Sequence, residues 1–162
     1  MIEIVTKVVV TGVIATAIMD IVSSTMRYLG LFDSPDYRLL GRWIGHMLML
    51  RTFAHKSIAG ARRIPFETGI GWVAHYATGV ALAAMLLAIV GSQWLQSPTL
   101  IPALLAGFAT ISLPLFIMQP AFGLGVAARL SSNPRKALLR SLLNHLSFGL
   151  GLYSAAVMSA AV

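Results

Sequence analysis

The sequence contains no cysteine, which excludes disulfide bonds, thiolate metal ligands and a thiol nucleophile. It is also poor in charge: Asp, Glu, Lys and Arg make up 10% of its residues, whereas a soluble protein has about 25%. Hydrophobic residues make up 57% of the chain. This balance, together with several long apolar segments, is typical of an integral membrane protein, and the length fits one domain.

The common catalytic motifs are missing as well. There is no H-E-x-x-H metal motif, no phosphate-binding P-loop, no G-x-G-x-x-G turn after a strand and no G-x-S-x-G. The sequence therefore indicates no reaction and favours a protein that is not an enzyme. We predict no nucleic-acid partner, despite the net charge of +7. The basic residues lie between apolar segments, where they are explained by the orientation of the protein in the membrane.

The apolar segments predict an all-α protein with four transmembrane helices. These helices cover about residues 4–28, 69–90, 99–118 and 138–162. Each has about 19 to 25 residues, enough to cross a hydrocarbon core of about 30 Å. The chain, 1–162, is then one transmembrane domain whose two long connections cover about residues 29–68 and 120–137.

Basic residues are concentrated near these two connections. All Lys and Arg residues except Lys7 lie within them or at the adjoining helix ends: Arg27, Arg38, Arg42, Arg51, Lys56, Arg62, Arg63, Arg129, Arg135, Lys136 and Arg140. The positive-inside rule places both connections in the cytoplasm and both termini outside. The sequence therefore predicts a bacterial inner-membrane protein with periplasmic termini and the lipid bilayer as its partner.

The first connection contains a stretch with helical spacing, "YRLLGRWIGHMLML". Arg38, Arg42 and His46 recur at intervals of four, beside an apolar face that includes Trp43 and Met47. This pattern predicts a short amphipathic helix lying in the membrane interface. Its polar stripe is expected to contact lipid headgroups, with an anionic cytosolic substrate as the alternative.

Proline interrupts the third apolar segment, and glycines follow it. Pro120 lacks the backbone donor that a helix needs at this point and clashes with the preceding turn. We therefore expect a kink or a helix end near Gln119, with helix resuming over about residues 121–130.

Short motifs recur along the chain. "GVIAT" lies in the first segment and "GFAT" in the third, while "HYATG" lies in the second and "HLSFG" in the fourth. The order is compatible with the duplication of a two-helix unit. Chance similarity among small apolar residues is the alternative.

Five polar residues lie inside or at the end of the predicted spans: Asp20, His75, Gln119, Asn144 and His145. Counted from the cytoplasmic ends, Asp20 and both histidines lie roughly 10 Å deep. Because an acid in a membrane is costly and usually faces a partner, we expect Asp20 to pair with one of the histidines. The cluster is a candidate site for a ligand or substrate, and simple polar contacts between helices are the alternative.

Two kinds of cofactor fit these residue types. Asp20, His75 and His145 are candidate ligands of a divalent metal ion, and the two histidines alone are candidate axial ligands of a haem. Further candidates lie at the cytoplasmic interface: Arg42, His46, His55 and Glu67. An interfacial histidine is usually only solvated, and an acid such as Glu67 suits the start of a helix.

Several blocks together resemble one known family. They are "ATAIMD", "DYRLLGRWIGHM", "GWVAHY", "FIMQPAFGLGVA" and "HLSFGLGLY", and they are similar to an uncharacterised bacterial membrane-protein family catalogued as domain of unknown function 2938. Positions matching its recurrent pattern are Asp20, Gly41, Arg42, Trp43, Gly45, His46, His55, Glu67, Gly71, Trp72, His75, Tyr76, Gln119, Pro120 and His145. The chain departs from it at "MLRTF", where the family often has a glycine. The resemblance implies a small inner-membrane protein and no particular activity.

Three functional classes are compatible with these features. A carrier or channel subunit would use the cluster for a proton, a metal ion or a small polar solute, and would form a homo-oligomer because four helices enclose little volume. A structural or assembly factor would use the cluster only for packing. A bis-histidine haem protein is the third class, and we place the carrier first.

The orientation can be tested with a reporter that is active only in the periplasm. Fused after Val162, it should be active, because the positive-inside rule leaves the C-terminus outside. Measurement of reporter activity in whole cells decides the point. A silent periplasmic reporter would reverse the orientation and remove the common depth assigned to the three ionisable residues.

Overall fold

The computed structural model describes residues 2–160, and this part of the chain contains helices and no strands. The five main helices are α1 (Ile2–Tyr28), α2 (Tyr37–Leu50), α3 (Glu67–Val90), α4 (Leu100–Ala121) and α5 (Pro134–Ala160). Short 3₁₀ turns lie at Ser92–Leu95 and Val126–Ala128. The predicted all-α class is confirmed.

Three of these helices, α1, α3 and α4, are long and apolar enough to cross a membrane. The fourth predicted span corresponds to α5. This helix is long enough to cross a membrane, but it does not meet the criterion for apolar composition that the other three meet. Its polar residues explain this: Ser141, Asn144 and Ser147 interrupt the apolar sequence, yet all three are buried against other helices. A helix that faces its neighbours in this way does not need an apolar surface on every side.

The helices pack in the order α3, α1, α5, α4. Helix α5 lies along both α1 and α4, α1 also packs on α3, and α2 covers the N-terminal half of α3. The main core joins small and large side chains from these helices, including Ala15, Leu86, Ala103, Phe148 and Leu152. Contacts between α3 and α4 are few, so these two helices border a space rather than a packed interface.

Glycines allow close approach at two of the helix crossings. A Cβ atom added to Gly12 would lie 2.5 Å from the Cα atom of Val80, beside Gly79. A Cβ atom added to Gly107 would lie 2.8 Å from the Cα atom of Gly149. These glycines serve packing, as small residues do in membrane helix pairs.

The two crossings also bear on the internal repeat. The first joins "GVIAT" to "HYATG", and the second joins "GFAT" to "HLSFG". His75 precedes Gly79 by one helical turn, and His145 precedes Gly149 by the same interval. The repeated motifs therefore lie at similar crossings in two helix pairs, α1 with α3 and α4 with α5, and the duplication stays a prediction.

Helix α4 changes its winding before it ends. Residues Leu113–Met118 form a π-helical segment around Pro114, which has no N–H to continue the α-helical ladder. The helix ends at Ala121, close to the predicted position. The predicted helix over 121–130 is wrong: the chain turns through Gly123 and Gly125, both with positive φ, and forms only the 3₁₀ turn.

Helix α2 begins where the sequence predicts, with Asp36 as its cap accepting from the Arg38 backbone N–H at 3.0 Å. Its orientation differs from the prediction. Arg42 and His46 are 5% and 4% exposed, so their expected contact with lipid headgroups is wrong. Gly41 brings α2 against the first turn of α3, and this close contact turns the polar stripe towards the protein. The placement of α2 in the membrane interface stays a prediction.

The buried stripe contains an ion pair that fixes the first connection. Arg42 Nε lies 2.9 Å from Glu67 Oε2, and Arg42 Nη2 lies 2.8 Å from Glu67 Oε1. The remaining terminal nitrogen, Nη1, donates to the carbonyl oxygens of Ile58, Ala59 and Ala61 at 2.9–3.3 Å. One guanidinium thus joins α2, the start of α3 and the loop between them.

Replacement of Arg42 by Met should destabilise this region strongly. It leaves the largely buried Glu67 carboxylate with only the Ile64 N–H as a donor and removes the donor of three carbonyl groups, and breaking a buried pair costs about 3–5 kcal/mol. Trypsin cleavage after the exposed Lys56, Arg62 and Arg63 should accelerate, and the melting temperature in detergent should fall. Arg38→Met is the matched control, because the exposed Arg38–Asp36 pair is worth about 0–1 kcal/mol. Equal effects of the two substitutions would contradict the assigned role of Arg42.

Candidate functional site

The carboxylate of Asp20 is the centre of the polar cluster. His75 Nε2 lies 3.1 Å from Asp20 Oδ1, and the Tyr37 hydroxyl donates to the same oxygen at 2.6 Å. The expected pairing of Asp20 with one of the histidines is therefore confirmed. These contacts join α1, α2 and α3 at a single oxygen atom.

Tyr37 belongs to this cluster but was not predicted from the sequence. It is the first residue of α2, and its ring stacks on that of His75 with the centroids 4.1 Å apart. Burial, together with its hydrogen bond to the Asp20 carboxylate, raises the pKa of Tyr37 well above its ordinary value, so its hydroxyl remains a donor. In the sequence, Tyr37 directly follows the helix cap Asp36. A side chain at this position can turn back towards α1.

The Asp20–His75 pair is largely enclosed. The two side chains are 16% and 11% exposed. The second carboxylate oxygen, Asp20 Oδ2, is buried and has no hydrogen-bond partner among the described residues. An unpartnered acceptor in such a place is costly, and because the atom has no accessible surface, a further donor would reach it only if neighbouring side chains moved.

His145 has a different partner from His75. Its Nδ1 lies 2.9 Å from Thr110 Oγ1, and the Thr110 hydroxyl donates to the Gly107 carbonyl at 2.8 Å. Because that hydroxyl hydrogen is used, Thr110 Oγ1 accepts from Nδ1–H of His145. The neutral ring then carries its lone pair on Nε2.

A cavity of about 570 Å³ brings the remaining candidates together. It is lined by residues of all five helices, and His75, Gln119, Asn144 and His145 all face it. Gln119 and Asn144 are 3% and 6% exposed, so both are deeply placed in its wall. Asp20 reaches this cavity through His75.

In the side-chain amide of Gln119, one polar atom makes a hydrogen bond and the other has none. Its Nε2 donates to Ser141 Oγ at 3.3 Å. Its Oε1 is buried and accepts no hydrogen bond from the described residues. The sequence predicted Gln119 as a member of the cluster but offered no sign of Ser141, which lies one turn before His145 on α5.

The interfacial candidates form a separate group with contacts of their own. Arg42 and Glu67 make the ion pair described above, whereas His46 Nδ1 lies 2.8 Å from His55 Nε2. The other nitrogen of His46 lies 2.8 Å from the Arg62 carbonyl, to which it must donate. These four residues hold the first connection in place, and none of them lines the cavity.

The suggested cofactors meet two geometric obstacles. Among residues 2–160, no three His, Asp or Glu side chains are grouped so that they could hold a metal ion. A haem axial histidine would use Nε2, but in His75 this atom is directed at Asp20. The arrangement fits hydrogen bonding and proton transfer more directly than ligation of a metal.

Comparison with known proteins places the chain in a family. No curated protein and no solved structure matches it. A family model described as "Protein of unknown function (DUF2938)" matches residues 9–159, which include the Asp20–His75 pair, the cavity and the greater part of every helix. The resemblance noted in the sequence is therefore confirmed, and the chain belongs to the DUF2938 family.

Proposed function

We propose that this protein is a carrier or channel subunit that moves a proton or a small polar solute through the Asp/His cluster. The observation that carries the proposal is the cavity, in which polar side chains of α3, α4 and α5 converge inside an apolar bundle. Binding sites for small molecules combine a largely apolar wall with a few convergent polar groups in this way. Ionisable residues inside membrane helices commonly mark ion or substrate paths.

The Asp20–His75 pair supplies the group that exchanges a proton. A carboxylate and an imidazole in contact hold one shared proton in either of two places, and the Tyr37 hydroxyl stabilises the ionised carboxylate. His75 also faces the cavity, so a proton taken up at Asp20 has a route to the bound solute. Of the possible cargoes, a divalent metal has the least support, because the ligand grouping is absent among residues 2–160.

The membrane arrangement that goes with this function has four crossings. Helix α5 crosses with α1 and α4, because it packs along both and buries its polar residues against them. The basic connections then lie in the cytoplasm and the cluster lies in the cytoplasmic half of an inner membrane. In this proposal the protein acts as a homo-oligomer, as the sequence led us to expect.

Substitution of Asp20 separates transport from structure. In Asp20→Asn the amide oxygen still accepts from Tyr37 and His75, so the protein should fold and insert but lose proton exchange. In Asp20→Leu two donors lose their acceptor, which should lower stability by about 1–3 kcal/mol for each. Proton flux and glycerol uptake are measured in phosphatidylethanolamine–phosphatidylglycerol vesicles, with thermal melting of each variant in detergent.

Asp33→Asn is the matched control, because it neutralises an acid outside the cluster. Parent and control should dissipate a pH gradient or take up glycerol faster than empty vesicles, whereas Asp20→Asn should match the empty vesicles. If no variant exceeds the empty vesicles, or if Asp20→Asn behaves as the parent does, the carrier proposal fails. A purely structural role of the cluster, as in an assembly factor, would then be the better description.

A further inference from the structure

One guanidinium on the wall of the cavity has no acidic partner. Arg140 lines the cavity, and its Nη1 atom makes only a long hydrogen bond, 3.4 Å, to the carbonyl oxygen of Asp33. Among residues 2–160, no carboxylate lies within ion-pair distance of Arg140. Donors of this group therefore remain for a bound molecule, and a guanidinium pairs most strongly with an oxyanion such as a carboxylate.

The acids near the cavity do not compensate this positive charge. Among the described residues, Asp36 is the only acid and Arg140 the only Lys or Arg in the lining. The Asp36 carboxylate is already held by the guanidinium of Arg38 at 2.7–3.2 Å. Asp20 does not line the cavity, and its Oδ1 has two protein partners. The cavity thus offers one uncompensated cation to a ligand.

A second polar group without a partner lies one helical turn further along α5. Asn144 follows Arg140 by four residues, so both lie on one face of the helix, about 6 Å apart along its axis. Asn144 is 6% exposed and lines the cavity, yet its side-chain amide makes no hydrogen bond with the described residues. Unlike Gln119 Oε1, this amide is not fully enclosed, so a ligand in the cavity can reach it.

The wall becomes largely apolar with distance from Arg140. Phe148 lies two turns beyond Arg140 on the same face of α5, and Met19 and Leu82 pack beside it from α1 and α3. The volume of about 570 Å³ lies within the range of about 300–1,000 Å³ found for sites that hold drug-sized molecules. A cavity with a cation at one end and an apolar wall at the other is complementary to an amphiphilic anion.

From these observations we propose that the cavity binds a single-chain amphiphilic carboxylate. The carboxylate accepts from Arg140 and Asn144, and the chain lies against Leu82 and Phe148. One cation balances one carboxylate, whereas a phosphate monoester carries more charge. Because α3 and α4 make few contacts with each other, no packed interface blocks entry between them. This inference goes beyond the proposed function, since it requires occupancy of the cavity and no transport.

Binding of tritiated laurate to the immobilised full-length protein tests the ligand class. Scintillation-proximity counts in a nonionic detergent, at a mildly alkaline pH that keeps the acid ionised, should reach a plateau that unlabelled laurate abolishes. Dodecanol and dodecyltrimethylammonium have the same chain without the anionic head, and should compete at least about 10-fold more weakly. Acetate lacks the chain and should not compete. Absence of saturable binding, or competition by dodecanol equal to that by laurate, would overturn the proposal.

Substitutions on α5 test the site of the carboxylate. Arg140→Gln should raise the half-saturating concentration of laurate about 10- to 100-fold, as expected for the loss of a charge-assisted contact, and Arg140→Lys should restore part of the affinity. Asn144→Ala should raise it about 5- to 10-fold. Arg135→Gln is the matched control, because Arg135 is exposed on the same helix and does not line the cavity. Unchanged affinity in Arg140→Gln, or an equal loss in Arg135→Gln, would contradict the assigned site, and thermal melting establishes that each variant is folded.

A substitution in the apolar wall tests the site of the chain. Leu82→Trp should abolish saturable binding, because the indole fills the space of the chain, whereas Leu105→Trp, at a residue that is 62% exposed outside the cavity, should not. Binding that persists in Leu82→Trp, or stronger competition by phosphatidylglycerol than by laurate, would refute a single-chain ligand in this cavity. Failure of laurate binding would leave the carrier proposal intact, whereas a failure of proton flux and glycerol uptake in vesicles would bear only on the carrier.

Discussion

One carboxylate in an apolar bundle constrains much of this structure. Asp20 cannot remain ionised inside an apolar bundle without donors, because burial of an isolated charge is far too costly. Its oxygen Oδ1 takes these donors from two different elements, Tyr37 of α2 and His75 of α3. The position of α2 over α3 is therefore linked to the ionisation of a residue on α1. The buried Arg42–Glu67 pair then holds α2 in that position from the other side.

The same requirement explains what the sequence could and could not reveal. Apolar segments and helix ends follow from local composition, so α1, α3 and the end of α4 were predictable within a few residues. The common depth predicted for Asp20, His75 and His145 followed from a rise of 1.5 Å per residue. It led to one of the two histidines as the partner of Asp20, and the structure shows that this partner is His75. The partner Tyr37 did not follow, because its contact depends on how α2 turns, which no local pattern determines.

The orientation of α2 shows where pattern reasoning fails. A stripe of Arg and His beside an apolar face is typical of a helix at the membrane surface. Here the glycines at 41 and 45 allow the polar stripe itself to face the protein, and Arg42 finds a carboxylate and three carbonyl groups there. The hydrophobic pattern shows that α2 has one polar face and one apolar face. Which face is buried depends on the partners that each face meets in the folded protein. Similarly, the helix end near Gln119 was predicted, but the π-helical winding around Pro114 was not.

The two helix pairs share a framework and differ in their chemistry. In each pair a histidine lies one turn from a crossing at which two glycines meet, so the backbone places His75 and His145 in equivalent positions. His75 then meets a carboxylate, whereas His145 meets a threonine hydroxyl. One ring therefore contacts an acid and the other a hydroxyl, while both histidines line the same cavity. Two like side chains in similar positions of two helix pairs thus have unlike surroundings, and the partner rather than the histidine determines what each ring can do.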